Sequence, residues 1–140
     1  MKAMLDLNVL LDVIQNRQPH YLDSATVVSA ARSREFVATI PVHAVTTIFY
    51  IISRISDRQT AEQTIDWLLQ YFEVAAADKG VLVQARSLPM RDFEDAVVAS
   101  AAHACRCDRI ITRNVADFVG SPVDALSPSN FLRLLHNTQS

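Results

Sequence analysis

The chain is expected to fold as a three-layer α/β/α sandwich around a mostly parallel sheet. Short apolar runs of strand character recur between longer stretches of helical period, which is the pattern of a parallel sheet covered on both faces. Only two of the 140 residues are Gly and half are hydrophobic, a composition that packs one core without flexible linkers. Acidic side chains also gather where strand candidates end, and open α/β sheets bind ligands outside those carboxyl ends.

Taken in order, Lys2 to Asp6 forms the first strand, and Asn8 to Gln15 a helix for which Asn8 is a good N-cap. Asp12 then falls on an exposed or edge position of that helix. After "NRQPH", residues His20 to Ser33 form an exposed amphipathic helix whose packing face carries Ala25, Val28, Ser29 and Arg32. "EFVATI" is the second strand. Pro41 opens the helix "VHAVTTIFYIISRI", because its missing N–H costs little at a first helical position.

Asp57 caps the next helix, with Ile65, Leu68, Leu69 and Phe72 as its buried stripe, and "EVAAA" supplies a short third strand. Asp78 caps a helix ending near Leu88. "MRDFEDAVVASAAHAC" is apolar or small on nearly every side, so it is a buried helix, and "DRIITR" is the clearest strand of the second half. A short strand near "PVDAL" precedes "SPSNFLRLL", where Ser127 caps and Pro128 takes the first helical position. The domain is expected to span residues 1–135, with 136–140, "HNTQS", as a frayed tail.

Acids outnumber bases 15 to 13, so any contact with nucleic acid must be local rather than a general basic surface. No stretch approaches the ~18 apolar residues of a membrane span, and the charged opening is a poor signal peptide, which predicts a soluble, cytoplasmic protein with no membrane partner. His103, Cys105 and Cys107 lack the two separated ligand pairs of a structural zinc site and read as free thiols in a reducing compartment.

Three groups of polar residues carry the chemistry. Asp6 ends the first strand, where a carboxylate leaving water costs several kcal/mol unless it is paired, hydrogen-bonded or cation-bound. Asp92, Glu94 and Asp95 crowd the start of a helix; Asp92 fits the N-cap and Asp95 the third helical position, and their repulsion is relieved by a cation. Thr112, Arg113, Asn114 and Asp117 follow the strand "DRIIT". Oxygen ligands converging in one crevice suit Mg²⁺ or Mn²⁺.

"LDLNVLLDV" near the start and "DFEDAVVASAAHACRCDRIITRNVADF" in the second half, with the element order between them, make the chain similar to the PIN-domain ribonucleases, including the toxins of bacterial VapBC toxin–antitoxin pairs. That resemblance implies a five-stranded parallel sheet and a metal-dependent endoribonuclease. Asp6 matches the family's first acid, Asp95 its helix-start acid and Asn114 its Asp-or-Asn position, with Asp117 a nearby auxiliary acid and Asp92 a further ligand or a cap. Metal would be held by Asp6, Asp95, Asp117 and Asp92, and substrate by Arg113, Arg91 and Thr112. An antitoxin partner and a homodimer are implied in the same way.

Two positions depart from the family. Leu7 stands where a small hydroxyl residue is usual, and the second acid, a Glu, aligns near Thr47 in a segment with no carboxylate between Glu35 and Asp57. The alternative is therefore a degenerate PIN domain that binds RNA or a protein without cutting. A phosphatase using Asp6 as nucleophile fits less well, since its second Asp would be Asn8 and no suitable Lys ends a later strand.

Overall fold

The computed structural model describes residues 1–139. Its strands are β1 (Lys2–Leu5), β2 (Val37–Pro41), β3 (Glu73–Ala75), β4 (Arg109–Ile111) and β5 (Ala125–Leu126). They form one sheet in the order β3-β2-β1-β4-β5, and every neighbouring pair is parallel. The helices are α1 (Leu7–Ile14), α2 (Tyr21–Arg32), α3 (Val42–Ile55), α4 (Arg58–Tyr71), α5 (Lys79–Ser87), α6 (Phe93–Ala104) and α7 (Pro128–Gln139), with a 3₁₀ turn at Val115–Phe118.

Strand alternation divides the core in two. Ala3 and Leu5 of β1 and Ile111 of β4 point to the face covered by α1, α2, α3, α4 and α7, where Leu10, Val27, Ile48, Leu68 and Phe131 are buried. Met4 and Ile110 point to the other face, under α5 and α6, with Val81, Val98, Ala99, Ala102 and Phe118. The small residues of α6 allow that helix to lie close on the sheet, which explains why it is apolar nearly all round.

Several local expectations need correction. Asp6, not Asn8, is the N-cap of α1, its side chain accepting from the Leu7 N–H at 2.8 Å. Pro41 closes β2 and occupies the cap position, so α3 starts one residue later. The packing face of α2 is Ser24, Val27, Val28 and Ala31, leaving Ser29 and Arg32 exposed. In the expected stripe of α4 Leu68 and Phe72 are buried, but Leu69 is exposed, and Ala61 is buried as well. Helix α7 continues through His136 to Gln139, so these residues of the expected frayed tail are helical; Ser140 lies outside the described residues.

The largest correction concerns Asp12. It is fully buried rather than exposed, accepts a hydrogen bond from Ser24 Oγ at 2.9 Å, and lies 2.8 Å from Arg113 Nε. That N–H is not aligned for a hydrogen bond, so the contact with Arg113 is an ion pair. Arg113 follows β4, so the pair ties the end of that strand to α1. Ser24, turned inward on α2, adds the hydrogen bond that the buried carboxylate needs beside its charge partner.

Both cysteines are free, with Sγ atoms 3.4 Å apart, and burial pushes the Cys107 thiol up. No helix among the described residues is long and apolar enough to cross a membrane.

Removing one partner of a buried ion pair leaves the other charge uncompensated. Arg113→Ala is therefore expected to cost about 3 kcal/mol or more of unfolding free energy, measured by urea denaturation. A cost within the range of an exposed substitution, about 0.5 kcal/mol, would contradict the placement of the pair.

Candidate active site at the carboxyl ends of β1 and β4

Asp6 stands where β1 ends and α1 begins. Its backbone N–H donates to Ile111 O at 2.9 Å, continuing the β1–β4 ladder one residue beyond the strands. The residue is only 8% exposed and its carboxylate is held from both sides. Oδ1 accepts from the Leu7 N–H, while Oδ2 accepts from Thr112 Oγ1 at 2.9 Å and, at 3.4 Å, from Asn8 Nδ2.

Asn8 therefore acts as a brace. Its Nδ2 also donates to Thr112 Oγ1 at 3.2 Å, and its Oδ1 accepts from the Arg113 N–H at 3.4 Å. The Asn114 N–H in turn donates to Thr112 Oγ1 at 3.1 Å. Thr112, expected to touch substrate, is fully buried; its hydroxyl orients Asp6 instead. Burial pushes the Asp6 carboxyl up, and the hydrogen bonds from Thr112 and Leu7 work against that rise.

Helix α6 brings the second group of acids. Asp92 caps it, Oδ1 accepting from the Asp95 N–H at 2.9 Å, so the expected register of cap and third helical residue is correct. Desolvation and the charges of Asp6, Asp92, Asp117 and Glu94 push the Asp95 carboxyl up to about 6. Four acids from β1, α6 and the 3₁₀ turn thus act on one carboxylate. Asp117 and Asn114 are exposed on that turn.

Arg91 shares a cleft of about 510 Å³ with Asp92, Asp95 and Asp117, walled by Pro89, Ala116 and Val119. Gly120 makes this wall possible: at φ +92 it lies so close to Pro89 that a Cβ would stand 2.7 Å from the Pro89 carbonyl oxygen. Arg113, the other expected phosphate holder, directs its Nε to Asp12.

Sequence reasoning did not find His43. It lies in the first turn of α3, with Nε2 3.5 Å from Glu94 Oε1, and its charge acts on Asp6. His43 and Thr47 are four residues apart, on one face of α3. The signal was available: on the helix that lacks the family Glu, an imidazole sits one turn before the gap.

The donors fit a hard divalent cation in kind, being carboxylate oxygens whose mutual repulsion keeps one of them partly protonated near neutrality. Among the described residues, no three His, Cys, Asp or Glu side chains stand close enough together to hold an ion as placed. Asp6 is fixed, whereas the Asp95 carboxylate accepts no hydrogen bond among the described residues and is half-buried.

A carboxyl whose pKa rises on folding opposes folding once both states are ionised. Asp95 binds its proton in the folded state between the ordinary carboxylate value of 3.8 and about 6, so its contribution favours folding at acid pH and is lost as pH rises through that window. Asp95→Asn is expected to raise the melting temperature at neutral pH in metal-free buffer and to flatten the decline between those two values. Thermal melts across the window check this, and a variant less stable than the parent at neutral pH would contradict it.

The PIN domain model matches residues 2–116 of the chain. No curated protein sequence matches it. In structure it is similar to VapBC2 from Rickettsia felis bound to a DNA fragment from its promoter, with 17% identity and a TM-score of 0.68, covering 91% of this chain and 98% of that one. VapBC-1 from nontypeable Haemophilus influenzae gives 14% identity and a TM-score of 0.68, covering 92% and 99%. The Mycobacterium tuberculosis toxin VapC20, described as cleaving the sarcin-ricin loop, gives 11% identity and a TM-score of 0.60, covering 77% and 86%. These identities bear on the fold; the match over residues 2–116, with the five-stranded parallel sheet, places the chain in the PIN domain family.

Proposed function

We propose that the protein is a metal-dependent endoribonuclease of the toxin type, with its active site in the crevice around Asp6 and Asp95. The observation that carries this reading is the convergence of Asp6, Asp92, Asp117 and Glu94 on Asp95, whose carboxyl is pushed up to about 6 by burial together with those charges. Carboxylates arranged at such a cost need a counter-charge, and Mg²⁺ or Mn²⁺ is the cation that oxygen donors of this kind take.

Asp6 and Asp95 would hold the ion, with Asp117 and Asp92 contributing from the rim, and the ion would supply an activated water and charge stabilisation at a phosphate. The chain supplies orientation. Thr112 and the Leu7 N–H aim the Asp6 carboxylate and work against the rise that burial causes, and Asn8 ties Thr112 to α1. Asn114, anchored through its N–H, is placed to orient water or the ion's shell. Arg91, exposed in the cleft beside Asp95, is the better placed arginine for a backbone phosphate, since Arg113 Nε is committed to Asp12.

An antitoxin partner fits this reading, because several structural relatives are toxin–antitoxin complexes, some bound to DNA. A small chain lying over the crevice would inhibit by covering the acids. A cytoplasmic location and homodimerisation belong to the same proposal. The second reading, a PIN domain that binds without cutting, is favoured by one observation: Thr47 leaves α3 without a carboxylate.

Cleavage of a single-stranded RNA panel in Mn²⁺ or Mg²⁺ tests the two readings. Activity is expected in the native protein, abolished by chelation and falling to background in Asp6→Asn and Asp95→Asn proteins that keep the native circular dichroism spectrum. Cleavage that persists in both variants would falsify the site assignment. RNA binding with no cleavage in either metal would select the non-catalytic reading.

A further inference from the structure

The chain's two cysteines stand two positions apart, at the turn where α6 gives way to β4. Backbone geometry brings them together. Cys105 is the C-cap of α6, the Arg106 N–H donates to His103 O at 3.1 Å and the Cys107 N–H to Ala102 O at 2.9 Å, which is the paired bonding of a Schellman turn. Such a turn needs a left-handed residue at its centre, and Arg106 supplies it at φ +62, where Gly is usual. In this turn the two Sγ atoms lie 3.4 Å apart. An S–S bond is about 2.05 Å long, so bonding asks for a short approach of the sulfurs and not for a new turn.

The two thiols differ in access. Cys105 is half-buried, whereas Cys107 is buried in the layer that holds Met4, Val98, Ala102 and Ile110. We propose that Cys105 and Cys107 are a reversible modification site, a dithiol that a low-molecular-weight disulfide such as oxidised glutathione converts to an intrachain disulfide. The inference is independent of the nuclease reading. Cys105, the more accessible, attacks as the thiolate one sulfur of the oxidant and displaces one glutathione thiolate. Cys107 then gives its proton to solvent and attacks Cys105 Sγ, displacing the second. Each cysteine loses one proton, and the two electrons they lose together reduce the oxidant's S–S bond to two thiols. A ring closed over one intervening residue takes little freedom from the unfolded chain, so the bond belongs to the labile kind that thiols readily reduce.

Mass spectrometry of the native protein after incubation with oxidised glutathione tests this. The expected product has lost two hydrogens, retains no glutathione, no longer reacts with iodoacetamide and returns to the starting mass with dithiothreitol. Trypsin cuts after Arg106, so peptides 92–106 and 107–109 should stay joined until reduction, which locates the bond. In Cys107→Ser the glutathione should remain on Cys105. Thiols left free, a glutathione adduct that persists on the native protein, chains cross-linked in pairs, or a bridge that forms only in urea would each overturn the proposal. The native protein alone decides it, so a poorly folded Cys107→Ser variant does not weaken the test.

Discussion

The hydrogen bond from Thr112 to Asp6 is the constraint on which the rest of the site depends. It joins residues 106 apart in sequence, at the ends of the two central strands. A buried carboxylate is tolerated there only because Thr112 Oγ1 and the Leu7 N–H both donate to it. The same hydroxyl accepts from Asn8 and from the Asn114 N–H, so one small side chain orients the acid, the start of α1 and the turn after β4. A carboxylate held this way loses little entropy on taking up a ligand, because its geometry is already set.

Behind this layer lies the Asp12–Arg113 pair. It repeats the connection between α1 and the end of β4 deeper in the protein, with full burial of the acid. Burying charge here is expensive in isolation, and its value is geometric: it fixes the register of α1 against β4 on the side away from solvent. The two connections together confine Asp6, while the acids of α6 and the 3₁₀ turn remain half-buried or exposed. The site thus combines one rigid carboxylate with several that retain side-chain freedom.

The parts of this arrangement legible in the sequence were those with local signals. A polar residue at a strand end, the Asp92-to-Asp95 cap spacing and the alternation of strands with helices each depend on neighbours a few residues away, and the five strands and seven helices followed from them. The burial of Asp12 has no local signal, because it is decided by Arg113, 101 positions later, and no local period encodes that partnership. Asn8 and Asp6 exchanged roles for a related reason. Both are good caps in isolation, and the ladder bond from Asp6 to Ile111 decides which residue stands at the helix start.

His43 is what the first turn of α3 brings to the site edge, on a helix that carries no carboxylate. Positions four apart on a helix look to the same side, so a site facing Thr47 is also within the reach of a long side chain at position 43. The first turn of α3 begins directly after β2, beside β1 in the sheet, which places His43 nearer the strand ends than Thr47 is along the helix axis. An imidazole there adds no negative charge to a cluster in which burial and neighbouring acids already push the Asp95 carboxyl up to about 6. A further carboxylate on α3 would add to the repulsion that Asp6 and Asp95 already bear, whereas the charge of His43 works to lower the Asp6 carboxyl.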